Sequence, residues 1–163
     1  MNIELSPASL AEKPTLKRLL ELYLYDFTDF DDADLDDFGL YGYTYLDQYW
    51  TEPNRWPFLI HVDDKLAGFA LVRHLDASEG GPAYSMAEFF VVRKYRHHGV
   101  GRTIARQIFQ RFPGRWRVAV WEDNQPAQVF WRKVVDDFTH GDFSETWQQD
   151  EQWKGPVQTF VSK

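Results

Sequence analysis

The sequence predicts an α/β domain with a mixed sheet, and the order of its elements is the main reason. Apolar runs typical of strands alternate with helical stripes, in the order strand, helix, two strands, strand, helix, strand, helix, strand. The 163 residues, 44% of them hydrophobic and 17% aromatic, are enough to bury a sizeable core. No repeat, low-complexity tract or linker divides the chain, so we expect a single domain over residues 1–163.

The N-terminal part contains a strand, a helix and an acidic segment. Asn2 to Leu5 is a short strand candidate. The apolar stripe over Leu10 to Phe27 predicts a helix, with Pro14 in its first turn. Residues 26–37 then hold seven aspartates, and Leu46 to Trp50 is predicted to form a helical turn.

The middle of the chain carries the clearest hairpin signal. Two apolar runs, Trp56 to Val62 and Leu66 to Leu75, are joined by Asp63-Asp64-Lys65. A loop containing Gly80-Gly81-Pro82 follows. It leads into the apolar run Ser85 to Val92, which is predicted to be a buried strand.

The C-terminal part alternates helices with strands. A helix is predicted over Val100 to Phe112, and Pro113-Gly114 ends it. A strand over Arg115 to Trp121 follows, then a helix over Pro126 to Val135. Thr159 to Val161 is the last strand candidate.

Composition excludes several classes of function. The chain has no cysteine, which removes disulfides, cysteine–zinc sites and thiol nucleophiles. A net charge of −7 disfavours nucleic acid as a partner. No apolar run approaches membrane-spanning length and no signal-peptide pattern is present, so a cytoplasmic protein without a membrane partner is expected. Residues 93–117 are basic, and a basic patch on an acidic protein fits a phosphate-bearing cofactor.

A glycine loop joins the strand Ser85 to Val92 to the next helix, and this arrangement predicts an anion pocket at the helix N-terminus. No Walker A string is present. A dinucleotide fingerprint would need a glycine where Ile104 stands. Glu122 does follow at about the distance of a ribose-binding acid, so that alternative is weakened and stays open.

Two motifs around this loop carry a family resemblance. The loop reads Arg96-x-x-Gly99-x-Gly101, and it follows the strand Glu88-Phe89-Phe90-Val91. Downstream, Asn124-x-x-Ala127-x-x-Phe130-Trp131-x-Lys133 follows another strand. Together these motifs resemble the acetyl-CoA loop and the second signature of the GNAT N-acetyltransferases, over roughly residues 85–135.

The resemblance implies the GNAT acyl-CoA N-acyltransferase fold, with a mixed central sheet splayed between its fourth and fifth strands and flanked by helices. It implies acetyl-CoA as co-substrate, with Val91 and Val92 offering main-chain groups to the pantetheine arm. It also implies a pyrophosphate cradle that acts mainly through main-chain N–H groups, formed by Arg96, His98, Gly99, Val100, Gly101 and Arg102. Asn124 and Phe130 match positions near the cofactor. Three alternatives remain open. Asn124 is only a helix cap, Phe130 is only a core residue, or the side chains of Arg96 and Arg102 lie in solvent.

The predicted catalytic residue is Glu88, the position of a glutamate in several members of the family. Its apolar surroundings in the sequence predict partial burial and a raised pKa, as a general base requires. The alternatives are an outward-facing strand residue or a base that acts only through water. The family's usual acid, a tyrosine, is replaced by Trp131, whose indole cannot supply a titratable proton. Substitutes are Tyr41, Tyr43 and Tyr45, unless the thiolate leaves unaided.

We therefore expect an acetyl-CoA-dependent N-acetyltransferase that acts on a primary amine, a small cationic molecule or a peptide. The alternative is a non-catalytic acyl-CoA-binding or partner-binding module. Members of the family often pair, so a homodimer is an open expectation. The acidic segment suits a cationic acceptor, although a solvated loop explains it equally. Asp32-x-Asp34-x-Asp36 lacks the glycine and the glutamate of a calcium loop, so no metal site is expected.

Overall fold

A computed structural model describes residues 1–163, and all of its strands belong to one mixed sheet. The strands are β1 (Ile3–Pro7), β2 (Arg55–Val62), β3 (Lys65–Leu75), β4 (Ala83–Val91), β5 (Gly114–Ala119), β6 (Ser144–Gln149) and β7 (Lys154–Ser162). Their order across the sheet is β1-β2-β3-β4-β5-β7-β6, and only the central β4–β5 pair is parallel. The sheet therefore includes both ends of the chain.

Helices cover both faces of this sheet. They are α1 (Lys13–Phe27), the short α2 (Gln48–Thr51), α3 (Val100–Arg111) and α4 (Gln125–Thr139). One apolar cluster joins α1 and α2 to the sheet through side chains such as Leu16, Tyr49 and Leu71. The larger cluster joins α3 and α4 to the opposite face, around Trp116 and Phe109. Because apolar residues pack on both faces, the central strands lack polar alternation.

The parallel pair β4–β5 is short and then opens. Only Tyr84 with Trp116 and Ser85 with Arg117 are paired, although β4 continues for six more residues, to Val91. A bulge lies just beyond, since Leu71 of β3 faces Glu88 and Val72 faces Met86, which leaves Ala87 unpaired. Bulges bend a strand and increase its twist, and this one lies where β4 leaves β5. The predicted splay between the fourth and fifth strands is confirmed.

Three elements differ from the sequence prediction. Strand β6 was not predicted, because its residues are polar and mostly exposed and its conformation depends on pairing with β7. Strand β7 spans Lys154–Ser162, which is longer than the three residues predicted. The predicted helix from Leu10 begins as a separate 3₁₀ turn over Leu10–Glu12 before α1 starts at Lys13. No helix is both long and apolar enough to cross a membrane.

Candidate active site

Two adjoining cavities open where β4 and β5 separate. The loop cavity, of about 550 Å³, lies between the last turn of α1, the end of β4 and the starts of α3 and α4. The splay cavity, of about 300 Å³, runs along the gap between β4 and β5. Both are lined by Tyr23, Phe27, Phe89, Asn124, Ala127 and Trp131. The shared wall means that a long ligand can extend from one cavity into the other.

The loop before α3 presents a run of unbonded main-chain N–H groups. None of the amides from His97 to Arg102 has an acceptor within the chain, and α3 has no side-chain cap. The amide of Arg96 differs, because it donates to the carbonyl of Arg93 at 3.1 Å. Free N–H groups at a helix N-terminus bind anions. The run of free amides therefore begins one residue after Arg96.

Each glycine of this loop has its own structural reason. Gly99 caps α3 with φ +80°, a conformation that favours glycine, and an added Cβ there would meet no atom within 4 Å. At Gly101 an added Cβ would lie 3.0 Å from the Phe130 ring. The first glycine thus leaves open space in front of the free amides, and the second lets α3 contact α4.

The arginine side chains of the predicted cradle are occupied within the protein. Arg96 donates from Nε to the carbonyl of Val91 at 2.7 Å and from Nη2 to Asp26 Oδ2 at 2.9 Å. Arg93 donates to the other oxygen of Asp26 at 2.6 Å. Burial raises the pKa of Asp26, but hydrogen bonds from Arg93 and Arg96 outweigh burial and lower it overall. The side chain of Arg96 therefore ties α1 to the end of β4.

The other two polar side chains of the cradle face outwards. Arg102 pairs with Asp137 of α4 at 3.2 Å, and His98 is exposed. Neither side chain lines the loop cavity, whereas His97 does. Of the predicted cradle, the loop cavity therefore meets the side chain of Arg96, which is already bonded to Asp26 and Val91, and not those of His98 or Arg102.

Main-chain bonding along β4 distinguishes the two valines of the prediction. Val92 donates to the carbonyl of Ala67 at 2.8 Å and accepts from the amide of Tyr95 at 2.9 Å. Opposed residues of an antiparallel pair alternate between bonded and unbonded, so Val91 and Phe89 direct main-chain groups away from β3 and into the opening. The Val91 carbonyl already accepts from Arg96 Nε at 2.7 Å, so the N–H of Val91 is the group left for a ligand. The bonding supports the prediction for Val91 and gives no support for Val92. Phe89 was missed, although strand alternation alone would have found it.

Asn124 and Phe130 each combine two of the roles that the sequence left open. Asn124 Oδ1 accepts from the Ala127 amide at 3.2 Å, which caps α4, and Asn124 also lines both cavities. Phe130 stacks on Phe89 with ring centroids 5.9 Å apart and lines the loop cavity. Asn124 therefore caps a helix and lines the cavities, and Phe130 packs in the core and lines the loop cavity.

Glu88 lies on β4 at the bulge, with part of its surface open to the splay cavity. Burial raises its pKa from the ordinary 4.5 to about 7, while hydrogen bonds from Tyr23 and Tyr43 act in the opposite direction. Burial, together with the nearby Glu88 carboxylate, also raises the pKa of Tyr23 well above 10.0. The site therefore holds a carboxyl that changes charge near neutral pH beside two phenols that stay protonated.

The profile of the acetyltransferase (GNAT) family matches residues 16–135, which is most of the chain. The chain belongs to the GNAT family. The resemblance predicted from the two motifs is thus confirmed, and so is the predicted fold. As an acetyltransferase of this family the chain is an enzyme, and its co-substrate is acetyl-CoA.

Solved structures with the same fold share little sequence with this GNAT chain. An acetyltransferase from Thermus thermophilus aligns with a TM-score of 0.72 at 15% identity, covering 99% of this chain and 97% of the other. The PaiA N-acetyltransferase from Thermoplasma acidophilum, in complex with coenzyme A, aligns with a TM-score of 0.67 at 14% identity, covering 99% of each chain. A spermidine N-acetyltransferase from Vibrio cholerae, in complex with CoA and spermine, aligns with a TM-score of 0.64 at 11% identity, covering 98% of this chain and 95% of the other. No curated protein sequence matches the chain significantly.

The aromatic groups near Glu88 differ from those predicted for the general acid of a GNAT enzyme. Of the three tyrosines named from the sequence, only Tyr43 reaches Glu88; Tyr45 is 56% exposed, and Tyr41 packs on Tyr25. Tyr23 was missed because its position in the apolar stripe of α1 is also typical of plain core. The phenols at the site come from α1 and from the segment before α2.

Trp131 is buried yet borders both cavities of the GNAT chain. Its ring packs edge-on against Phe89 at 5.0 Å and also contacts Phe109. The indole N–H has no acceptor within the chain, and its nitrogen is not fully enclosed by protein. The residue that replaces the usual tyrosine therefore forms part of the wall that the two cavities share.

The acidic segment divides between the two cavities and solvent. Asp26 and Asp29 line the loop cavity and Asp31 lines the splay cavity. Asp36 instead closes a turn by accepting from the amides of Phe38 and Leu40. Nowhere in the chain do three carboxylate or imidazole side chains converge as metal ligands would. Only a minority of these aspartates is thus placed to meet a ligand.

Proposed function

We propose that this enzyme transfers the acetyl group of acetyl-CoA to a primary amine, a small cationic acceptor, with Glu88 as general base. One observation carries the proposal: a carboxyl group whose pKa is raised to about 7 lies in the opening between β4 and β5. A base works best when its pKa is near the working pH. Family membership favours this enzyme over a non-catalytic CoA-binding module.

For the donor, we assign the diphosphate of acetyl-CoA to the free amides from His97 to Arg102, in the loop cavity. The N–H of Val91 and the main-chain groups of Phe89 then face the pantetheine arm, and Phe130 lies beside it. Arg96 and Val92 support this site indirectly, because their bonds hold the end of β4 in place. Each main-chain bond to the ligand is worth about 1 kcal/mol net, so a run of free amides is needed.

For the reaction, the amine lone pair attacks the thioester carbonyl, a C–N bond forms and the C–S bond breaks. A lysine-like amine with pKa ~10.4 costs about 4–5 kcal/mol to deprotonate at pH 7. The proton that leaves nitrogen goes to the carboxylate of Glu88, directly or through one water. The pair of electrons from the C–S bond leaves with the CoA thiolate.

For the acceptor, the net charge of −7 and the carboxylate of Asp31 beside the splay cavity support a cation. Asp29 adds negative charge around the adjoining cavity, whereas the charge of Asp26 is balanced by Arg93 and Arg96. The spermidine N-acetyltransferase of Vibrio cholerae has the same fold, which supports amine acetylation as a class and no particular amine. We also propose that residues 1–163 form one domain, since one sheet joins both ends.

The test is an assay of CoA release with acetyl-CoA and a panel of amines, run with the native enzyme and with Glu88→Gln. We expect turnover with at least one amine and a fall of about 10²–10⁴-fold in the variant, the usual contribution of a general base. Affinity for acetyl-CoA, measured by calorimetry, should stay unchanged. If acetyl-CoA binds and no amine is consumed, the non-catalytic module is the correct assignment.

A further inference from the structure

The walls of the splay cavity are mostly hydrocarbon and aromatic rings. Thirteen of its sixteen lining residues are apolar or aromatic, and the three exceptions are Asp31, Glu88 and Asn124. If the proposed function is right, this cavity receives the acceptor amine, because it adjoins the base. Its lining then determines which amines bind.

Two tryptophans define the far wall. Trp121 follows β5 and meets Trp153 edge-on, with ring centroids 5.6 Å apart. The turn that carries Trp153 is held by Asp150, whose Oδ1 accepts from the amides of Gln152 and Trp153 at 2.8 Å each. The amide of Glu122 donates to the carbonyl of Lys154 at 3.0 Å, which ties the two segments together. The aromatic wall is thus a fixed surface.

The cavity offers only one interior anion, and it lies at the reacting end. Asn124 already uses its carbonyl oxygen as the α4 cap. Asp31 is exposed at the rim and accepts from the Ala33 amide at 3.2 Å. The enclosed polar atom without a partner in this lining is Nε1 of Trp153, which is a donor and offers an ammonium group no acceptor. A second ammonium group would lose its water against hydrocarbon and donors.

We propose that the acceptor is a primary monoamine on an apolar body, an alkylamine or arylalkylamine, and that the splay cavity discriminates against diamines and polyamines. A volume of about 300 Å³, at roughly 30 Å³ for each water-sized group, holds about ten non-hydrogen atoms, which the acetyl group and the acceptor share. The single amine of such a molecule lies at Glu88 and its body lies against Trp121 and Trp153.

The experiment measures binding and turnover separately, with a matched pair of probes. Hexylamine and hexamethylenediamine have the same chain, but the second ends in an ammonium where the first ends in hydrogen. Calorimetry on the CoA-loaded protein should show hexylamine binding at least about tenfold more tightly than the diamine. Across alkylamines of growing length, affinity should rise by about fourfold per methylene until the cavity is full.

A matched pair of variants locates the effect. Trp153→Ala should weaken hexylamine binding by about tenfold, because it removes part of the apolar wall. Trp147→Ala, on the exposed face of β6 where the ring is 55% exposed, should leave hexylamine binding unchanged. Both variants should bind acetyl-CoA as the native chain does, which also shows that they are folded.

Failure of this inference differs from failure of the proposed function. If the diamine binds as tightly as hexylamine, if neither amine binds, or if Trp153→Ala keeps full affinity, the apolar-acceptor inference is overturned even when some amine is acetylated. If hexylamine binds with the expected preference and is never acetylated, the inference stands and catalysis as proposed is wrong.

Discussion

Replacing Glu88 by glutamine should change stability and activity in opposite directions, and both effects follow from one pKa. The carboxyl has a pKa of about 7 in the folded chain against an ordinary 4.5. A group whose pKa is raised by folding binds its proton more tightly in the native state. Between these two values the native protein holds the proton and the unfolded chain does not, so stability falls as pH rises towards 7.

The size of the effect follows from the same two values. The difference between about 7 and 4.5, at about 1.4 kcal/mol for each pKa unit, would be about 3.5 kcal/mol once Glu88 is fully ionised. Part of the side chain is open to the splay cavity, which screens its charge, so about 1–3 kcal/mol is expected. For a domain of this length, that corresponds to roughly 3–10 °C in melting temperature.

The assay is thermal or urea unfolding of the native chain and of Glu88→Gln at pH 5.5 and at pH 9. Above pH 7 the variant should be the more stable of the two, and near pH 5.5 most of the difference should disappear. Glu4→Gln, at an exposed position on β1, makes the same change in net charge and should show no such dependence. Parallel curves for the native chain and Glu88→Gln at both pH values would refute a buried carboxyl with a raised pKa.

Activity should respond in the opposite sense. The ratio of native to Glu88→Gln rates cancels the titration of the amine, which both enzymes share. This ratio should rise as pH passes about 7 and then level off, because the carboxylate is the active form. A ratio that does not vary with pH would mean that Glu88 is not the base whose titration limits the rate.

Three further predictions concern the cofactor loop, the contact of Asp26 with Arg93 and Arg96, and Trp131 at the position of the family's usual acid. Gly99→Ala should lose about 1 kcal/mol of stability and should also bind CoA more weakly. The control is Gly39→Ala, at φ +76° in equally open space, which should lose similar stability and keep its affinity for CoA. Unfolding measures the stability of both variants, and calorimetry measures their affinity for CoA. Asp26→Asn should lose about 1–2 kcal/mol at pH 7 in urea unfolding. That loss should vanish as pH falls through the lowered pKa of Asp26, since the native stabilisation then disappears too. Trp131→Tyr should change kcat by less than about threefold in the CoA-release assay; a rise of about tenfold would show that a missing acid limits the rate.

The sequence predicted best where one local pattern decides the structure. The run before Arg96 and the glycines after it predict a strand, a loop and a helix start, and the structure contains them. Glu88 stood out as a charge in an apolar run, and its raised pKa agrees with that prediction. Strand β6 was missed because its six residues, five of them polar and five exposed, carry no such pattern, and only pairing with β7 makes them a strand.

The parts of the site that escaped prediction depend on contacts between distant segments. Tyr23 and Glu88 lie far apart in sequence and meet only because α1 packs over β4. The role of Arg96 depends in the same way on Asp26, 70 residues away. A motif assigns a residue type to a loop, but it does not tell whether that side chain faces the ligand or a neighbouring helix. Arg96 does both, because it bonds Asp26 of α1 and also lines the loop cavity.

The tryptophan at the acid position is consistent with the chemistry that the rest of the site supports. An ordinary thiol has a pKa near 8.5 and a lysine-like amine near 10.4. The thiolate is therefore the better leaving group, and the C–S bond can break without a proton donor, whereas the amine cannot attack until it is neutral. The base is the demanding requirement, and in the proposed mechanism Glu88, with its raised pKa, meets it. Trp131 instead packs on Phe89 and borders both cavities. Excluding water there strengthens the interactions of charges that form beside it.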